Sequence, residues 1–165
     1  MFSYPRLALL AAVMLLAGAA VVACAAGARA PAQATRTVLA QAVNPPGANG
    51  RTLGLSRVRI PPHTRLALHR HPGVQLAYIQ EGTLSYTVKR GVVKVYRGDA
   101  DKDPVVVRRI AGGHSGKVHA GEWVIERPGV VHFGANRGDR PVVILLATLF
   151  RNGKPASIPV PEGHH

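Results

Sequence analysis

The sequence predicts an all-β domain, a small barrel or sandwich of short antiparallel strands, carried behind an N-terminal signal segment and an extended arm. Three observations predict it. From residue 51 onward, short β-branched or alternating runs follow one another. Glycine and proline, 18 and 13 of the 165 residues, break these runs at turn positions. No segment of the same region holds a helical period over a useful length. Many short strands punctuated in this way close into a barrel or stack as a sandwich.

Residues 1–26 begin with one cation, Arg6, and continue as an apolar run from Leu7 to Ala26. A charged start, an apolar stretch and small residues near a cut site are the signature of a secretory signal. An uncleaved anchor needs about 20 apolar residues. This run has that length, but it dissolves into Ala, Gly and Arg and lacks the aromatic anchors of a spanning helix. The one cysteine, Cys24, closes the stretch VVAC. VVAC resembles the lipobox of bacterial lipoproteins, which makes Cys24 a lipidation site and a membrane tether. An ordinary cut at Ala23-Cys24-Ala25 or Ala32-Gln33-Ala34 is the alternative, and the sequence does not choose. Both readings imply export to the periplasm or cell envelope. Both leave the mature domain without a disulfide, so its stability rests on its core.

Residues 27–50 read as a linker or arm ending in NPPGANG, in which TVLAQAV (37–43) is a short strand or a helical turn packed on the domain. Residues 51–155 form the barrel domain. Its expected strands are 52–60, 65–71, 75–80, 83–89, 92–97, 104–110, 117–119, 122–126, 130–135 and 141–151. The last contains VVILLATLF, almost wholly apolar, which predicts cover on both faces, by the core and by another element or subunit. With the small size, that predicts a homodimer. DADKD (99–103) has the alternating acids of a calcium loop but Pro104 and Ile110 where that loop needs Gly and Glu, so it reads as a polar turn. Residues 156–165 are a C-terminal tail closing in PEGHH.

Charge narrows the partners. Lys and Arg outnumber Asp and Glu by 21 to 8, a net +13, and the signal segment carries only one of those cations. That balance suits anionic partners. The cations are scattered, and aromatics make up 5% of the chain, so no stacking stripe alternates with them. Nucleic acid is excluded, and a small anionic molecule is favoured.

The residues that carry chemistry begin at HRHPGVQ, 69–75. Alternate residues of a strand share a face, so His69 and His71 project together and can converge on one ion. Pro72-Gly73 then bends the chain, and Gln75 opens the next strand. Downstream, GEWVIERPGVVHFGAN (121–136) places a Pro128-Gly129 turn before His132, with Asn136 four residues later. Glu81 and Glu126 are near in sequence, but the pattern leaves their facing open. No Ser/His/Asp grouping or phosphate-cradling Gly loop is present. His63, His114 and His119 lie near turns and are expected to be solvated. Trp123, Tyr78 and Tyr86 are expected to pack in the core or at its rim.

Together His69, His71, Gly82, Pro128, His132 and Asn136 resemble the two motifs of the cupin superfamily, over about residues 52–151. Four departures stand out: His63 at the leading glycine position, Gln75 in place of the motif's Glu, Gly121 one residue too far from Pro128, and PGVVH one residue short. The stretch between the motifs, 83–120, is long and suggests an added hairpin. The resemblance implies a cupin-type jelly-roll β-barrel with its ligands on inward-facing strands. It implies a metal site of His69, His71, His132 and Gln75 holding a divalent transition metal: Fe, Zn, Ni, Cu or, less favoured with few oxygen donors, Mn. Strand alternation then places Ala77 and Ile79 inward with Gln75, Val130 and Gly134 with His132, and Ala67 and Arg65 with His69. Arg65 is thereby expected at one end of the cavity as a substrate-binding residue.

Three imidazoles and an amide form a neutral set that would leave a divalent ion its full charge. An oxygenase-type enzyme acting on a small anionic or enolisable molecule is one reading. A non-catalytic envelope protein that binds a metal or small ligand is the alternative, and an empty barrel with a stability role is a third. No general acid or base is evident beside the histidines.

Overall fold

The structure, a computed structural model, describes residues 33–99 and 101–163. The signal segment with Cys24, and His164 and His165, lie outside the described residues. The described strands are β1 (Thr35–Val43), β2 (Arg51–Ile60), β3 (His69–Arg70), β4 (Gly73–Glu81), β5 (Thr83–Arg90), β6 (Val92–Arg97), β7 (Val105–Ala111), β8 (His114–His119), β9 (Glu122–Glu126), β10 (Val131–Ala135), β11 (Val142–Arg151) and β12 (Ile158–Pro159). They form two sheets, one in the order β1-β2-β11-β4-β9-β6-β7 and one in the order β12-β3-β10-β5-β8. Every pairing is antiparallel.

Alternation decides which side chains meet between the sheets. In β4, Gly73, Gln75, Ala77 and Ile79 are buried while Val74 and Tyr78 face out. In β9, Glu122, Val124 and Glu126 are buried and Trp123 and Ile125 are half-buried. The core is the apolar part of these rows, including Val58, Ile60, Ile79, Val88, Val95, Val124 and Ile144. On the outer face, Tyr78, Trp123 and Tyr96 fall side by side across β4, β9 and β6, and the last two stack at 4.4 Å. That is the rim packing expected of Trp123 and Tyr78. In the β6–β7 connection Lys102 pairs with Asp99 at 3.0 Å.

Two expectations, for 65–71 and 83–120, need correction, and those for the arm and β11 are sharpened. The arm is ordered strand from Thr35 to Val43, laddered along β2 from Thr35↔Arg59 to Val43↔Thr52, although all nine residues are exposed. Main-chain bonds hold this edge, and they leave no apolar periodicity to read. The run 65–71 is strand only at His69–Arg70, because the segment before it touches β10 at a single bridge, Arg65↔Ala135. Within the chain, β11 is covered on both faces only over Val142–Ile144. Beyond that it alternates, and Ala147 and Leu149 face outward exposed. The stretch 83–120 is more than one hairpin: β5 and β8 join the smaller sheet, and β6 and β7 extend the larger one.

Glu122 anchors this extension. It is 0% exposed, and the half-exposed Arg97 and Arg108 reach it at 2.5 and 2.8 Å. Burial alone would raise its pKa; hydrogen bonds from Arg108, the His119 backbone N–H and Arg97 outweigh that and hold it down to about 2. A carboxyl depressed on folding stabilises above its unfolded pKa, here 4.5, and loses that contribution as pH falls from there toward 2. About 2 kcal/mol is expected to disappear over this window, discounted for solvent at the arginines. Urea midpoints of Glu122→Gln are expected to lack that acid slope; an unchanged slope would assign it to other carboxylates.

Candidate metal centre

The site is built from two cross-strand pairs, one in each sheet, facing each other across the barrel. In the smaller sheet His69 of β3 lies opposite His132 of β10. Directly opposed residues carry their Cβ atoms about 5 Å apart, which sets the two imidazoles side by side. Their ring centroids are 4.6 Å apart. In the larger sheet Gln75 of β4 lies opposite Glu126 of β9. His71 sits between β3 and β4, its ring 4.9 Å from His69 and 5.2 Å from His132. Gly73 makes the close turn after it, since a Cβ there would stand 2.2 Å from the Leu149 carbonyl oxygen.

The ligand-capable nitrogens of His69, His71 and His132 lie within 4.8 Å of one another. Their tautomers are set from behind. His69 Nδ1 donates to the Ala67 carbonyl at 2.7 Å, and His71 Nδ1 donates to the Ala156 carbonyl at 2.8 Å. Each ring then turns its Nε2 to the cluster, as metal-binding histidines do. Burial, with the neighbouring His132, lowers the His69 pKa to about 4, so that ring is neutral at pH 7. The C-terminal tail, which the sequence leaves without a role, supplies the Ala156 carbonyl. Donor type, spacing and tautomers fit a divalent transition metal.

Glu126 is the residue that sequence reasoning missed. It is 3% exposed, and its Oε2 lies 3.1 Å from His71 Nε2 and its Oε1 3.2 Å from His132 Nε2. Tyr86 donates its hydroxyl proton to Oε1 at 2.8 Å, and Gln75 Nε2 donates to Oε2 at 2.5 Å. Burial would raise the Glu126 pKa; the charge and hydrogen bond of His132, with His71, hold it well below the carboxylate range. Burial would lower His132, but the Glu126 carboxylate raises it. Tyr86 is pushed well up by burial and the same carboxylate. The signal for Glu126 was the alternation of EWVIE, which puts an acid at both ends of one inward row. A buried negative charge therefore stands against two of the three imidazoles, beside the neutral set the motif residues imply.

Gln75 is buried, its Nε2 also 3.2 Å from His71 Nε2, while its Oε1 has no hydrogen-bond partner among the described residues. Ala77 and Gly134 line the cavity as alternation requires. Arg65 does not: its guanidinium lies 4.0 Å over the Phe133 ring and pairs with Glu162. The cation that lines the cavity is Arg36 of β1, whose Nη2 donates to the Ser56 hydroxyl at 3.1 Å. His63, His114 and His119 stay away from the site, bonded to Asp139, the Gly112 carbonyl and Thr83. The cavity has a volume of roughly 280 Å³ and, apart from the polar cluster, walls of Val58, Leu66, Leu84, Ile144 and Leu146.

Two antiparallel sheets enclosing a histidine cluster on inward-facing strands define a barrel of the jelly-roll class. Comparison with solved structures makes this the cupin fold. A cupin 2 domain-containing protein from Halorhodospira halophila superposes with a TM-score of 0.50 at 12% identity, over 79% of this chain and 72% of that one. An oxalate oxidase in complex with the substrate analogue glycolate gives 0.50 at 21%, over 80% and 57%. A DMSP lyase from Ruegeria pomeroyi gives 0.51 at 20%, over 80% and 54%. The chain thus spans little more than half the length of these last two. The sequence matches no family model and no curated protein.

Proposed function

We propose that this chain is an exported, metal-dependent cupin enzyme acting on a small anionic or enolisable molecule. The observation that carries the reading is the convergence of His69, His71 and His132 at a cavity with mostly apolar walls. A bound divalent ion would supply Lewis acidity and open positions for a substrate oxygen or for O2. The chain's own residues do the rest. The carbonyls of Ala67 and Ala156 hold two imidazoles in register, and Leu84, Ile144 and Leu146 keep water from the cluster. Arg36 offers the positive charge at the cavity wall for an anionic group. The oxalate oxidase with glycolate bound illustrates how a related fold accepts a small carboxylate.

One observation favours the non-catalytic alternative. Both Glu126 oxygens are already engaged by Tyr86, Gln75, His71 and His132, and among the described residues no unengaged carboxylate lines the cavity. Export rests on the 1–26 pattern, with Cys24→Ser fractionation as its measure. A homodimer rests on the row Leu53, Leu149 and Val74, exposed side by side on the outer face, with sedimentation as its measure.

The deciding experiment is metal analysis of untagged protein, followed by oxygen uptake and product analysis over a panel of small carboxylates and enolisable acids. About one metal per chain with turnover of a panel member is expected. One metal per chain with no turnover would turn the reading to a binding protein. Substoichiometric metal that does not respond to His132→Ala would overturn both.

A further inference from the structure

We infer that Glu126, one strand away from the position where the first motif carries its carboxylate, is the fourth metal ligand, and that Gln75 is the residue that positions it. This rests on the metal reading above. The two residues are register partners on β4 and β9. An exchange of amide and carboxylate between them therefore moves the acid across one strand spacing, about 4.8 Å, on the same inward face.

Geometry favours Glu126 over Gln75 as the ligand. Imidazole nitrogen and carboxylate oxygen bind such ions at about 2.0–2.2 Å, so neighbouring ligands of one ion stand about 3.0–3.5 Å apart. The Glu126 oxygens stand 3.1 and 3.2 Å from the Nε2 atoms of His71 and His132. His71 has already committed Nδ1 as a donor to Ala156, so a neutral His71 would point a lone pair at a carboxylate lone pair. The Gln75 amide can offer one N–H to each of them, and the remaining repulsion of two buried acceptors at that distance favours a positive centre between them. One divalent ion meets it for both contacts.

Gln75 has the opposite arrangement. Its Nε2, a donor that cannot ligate, is the atom aimed at Glu126 and His71. Turning the amide over would set its oxygen against the carboxylate at 2.5 Å. The amide therefore reads as a clamp that, with the Tyr86 hydroxyl, fixes the rotamer of Glu126. A carboxylate at position 75 as well would place two acids in contact in a buried site. The amide at 75 and the acid at 126 are one coupled choice.

The test is calorimetric titration of metal-free protein with Zn(II), together with visible absorption of the Co(II) form, for wild type, Gln75→Ala, Glu126→Gln and Gln75→Glu/Glu126→Gln. Removing an outer-shell partner costs about 10- to 100-fold in affinity. Glu126→Gln is expected to lose more than about 100-fold and to shift the Co(II) bands. Gln75→Ala is expected to lose about 10- to 100-fold, less than Glu126→Gln, with the bands unmoved. The double variant, which restores a carboxylate and keeps the paired shape, is expected to recover most of the loss. It also separates loss of the ligand from loss of the fold. Wild type that binds while Glu126→Gln stays within tenfold of it overturns this assignment alone. Wild type that takes up no metal overturns the metal reading with it.

Discussion

His69→Ala is expected to weaken divalent-metal binding by at least about 1000-fold, about 4 kcal/mol, while the metal-free fold stays within about 1 kcal/mol of wild type. His69 suits this experiment because it is the least buried of the three histidines and is neutral at pH 7. Its one hydrogen bond, to the Ala67 carbonyl, orients the ring and ties no distant element. His132 would be a less clean deletion: it stacks on Tyr86 at 5.1 Å and faces Glu126, so its removal also strips a buried carboxylate. Binding to the native state alone raises stability by about 2.7 kcal/mol at a free metal concentration of 100 Kd. For a domain of this size that is about 10 °C in Tm. Wild type is expected to show this rise, His63→Ala to keep it, and His69→Ala to lose it. A metal-dependent rise that persists in His69→Ala would move the site away from this cluster.

How much of this was legible in the sequence follows from which interactions have a local signature. The β-runs and their turns do, since side-chain alternation and Gly/Pro positions are written in neighbouring residues. The convergence of His69, His71 and His132 was legible because HxH fixes one face locally and the second motif supplies the third imidazole. Glu126 was not, because its role depends on register. It reaches the site only when β9 pairs with β4 so that Glu126 meets Gln75, and a sequence does not state which strands pair. The same reason displaced the cavity cation. Arg65 shares the His69 face by parity, but the segment before His69 is not continuous strand, and its guanidinium is taken by Phe133 and Glu162. Arg36 reaches the cavity from an edge strand that looked like an arm, because that strand is held mainly by main-chain bonds and its nine residues bury no apolar row. The tail carbonyl of Ala156 is invisible for a third reason: a backbone acceptor has no residue type to recognise.

Asn136→Ala is expected to cost about 3 kcal/mol of stability, the largest loss anticipated from one side chain outside the metal cluster. The residue is 2% exposed and stands just beyond β10. Its two Nδ2 protons are shared among the carbonyls of Ile60, Pro61 and Arg140 at 3.0, 3.0 and 2.8 Å, and its Oδ1 accepts from the Gly138 N–H at 3.0 Å. One amide thus ties the end of β2 and the approach to β11, both in the larger sheet, to the end of β10 in the smaller one. Alanine removes two donated bonds and one accepted bond, at about 1 kcal/mol for each. Asn136→Asp is the sharper variant, because it keeps the volume but replaces the donor with a second acceptor facing three carbonyl oxygens. It is expected to be at least as destabilising, and more so above its carboxyl pKa than below it. Both variants are expected to keep the Co(II) spectrum of wild type once folded and loaded, since Asn136 touches none of the candidate ligands. A changed spectrum at full loading would mean that this brace sets the position of His132, four residues before it, as well as the closure of the barrel.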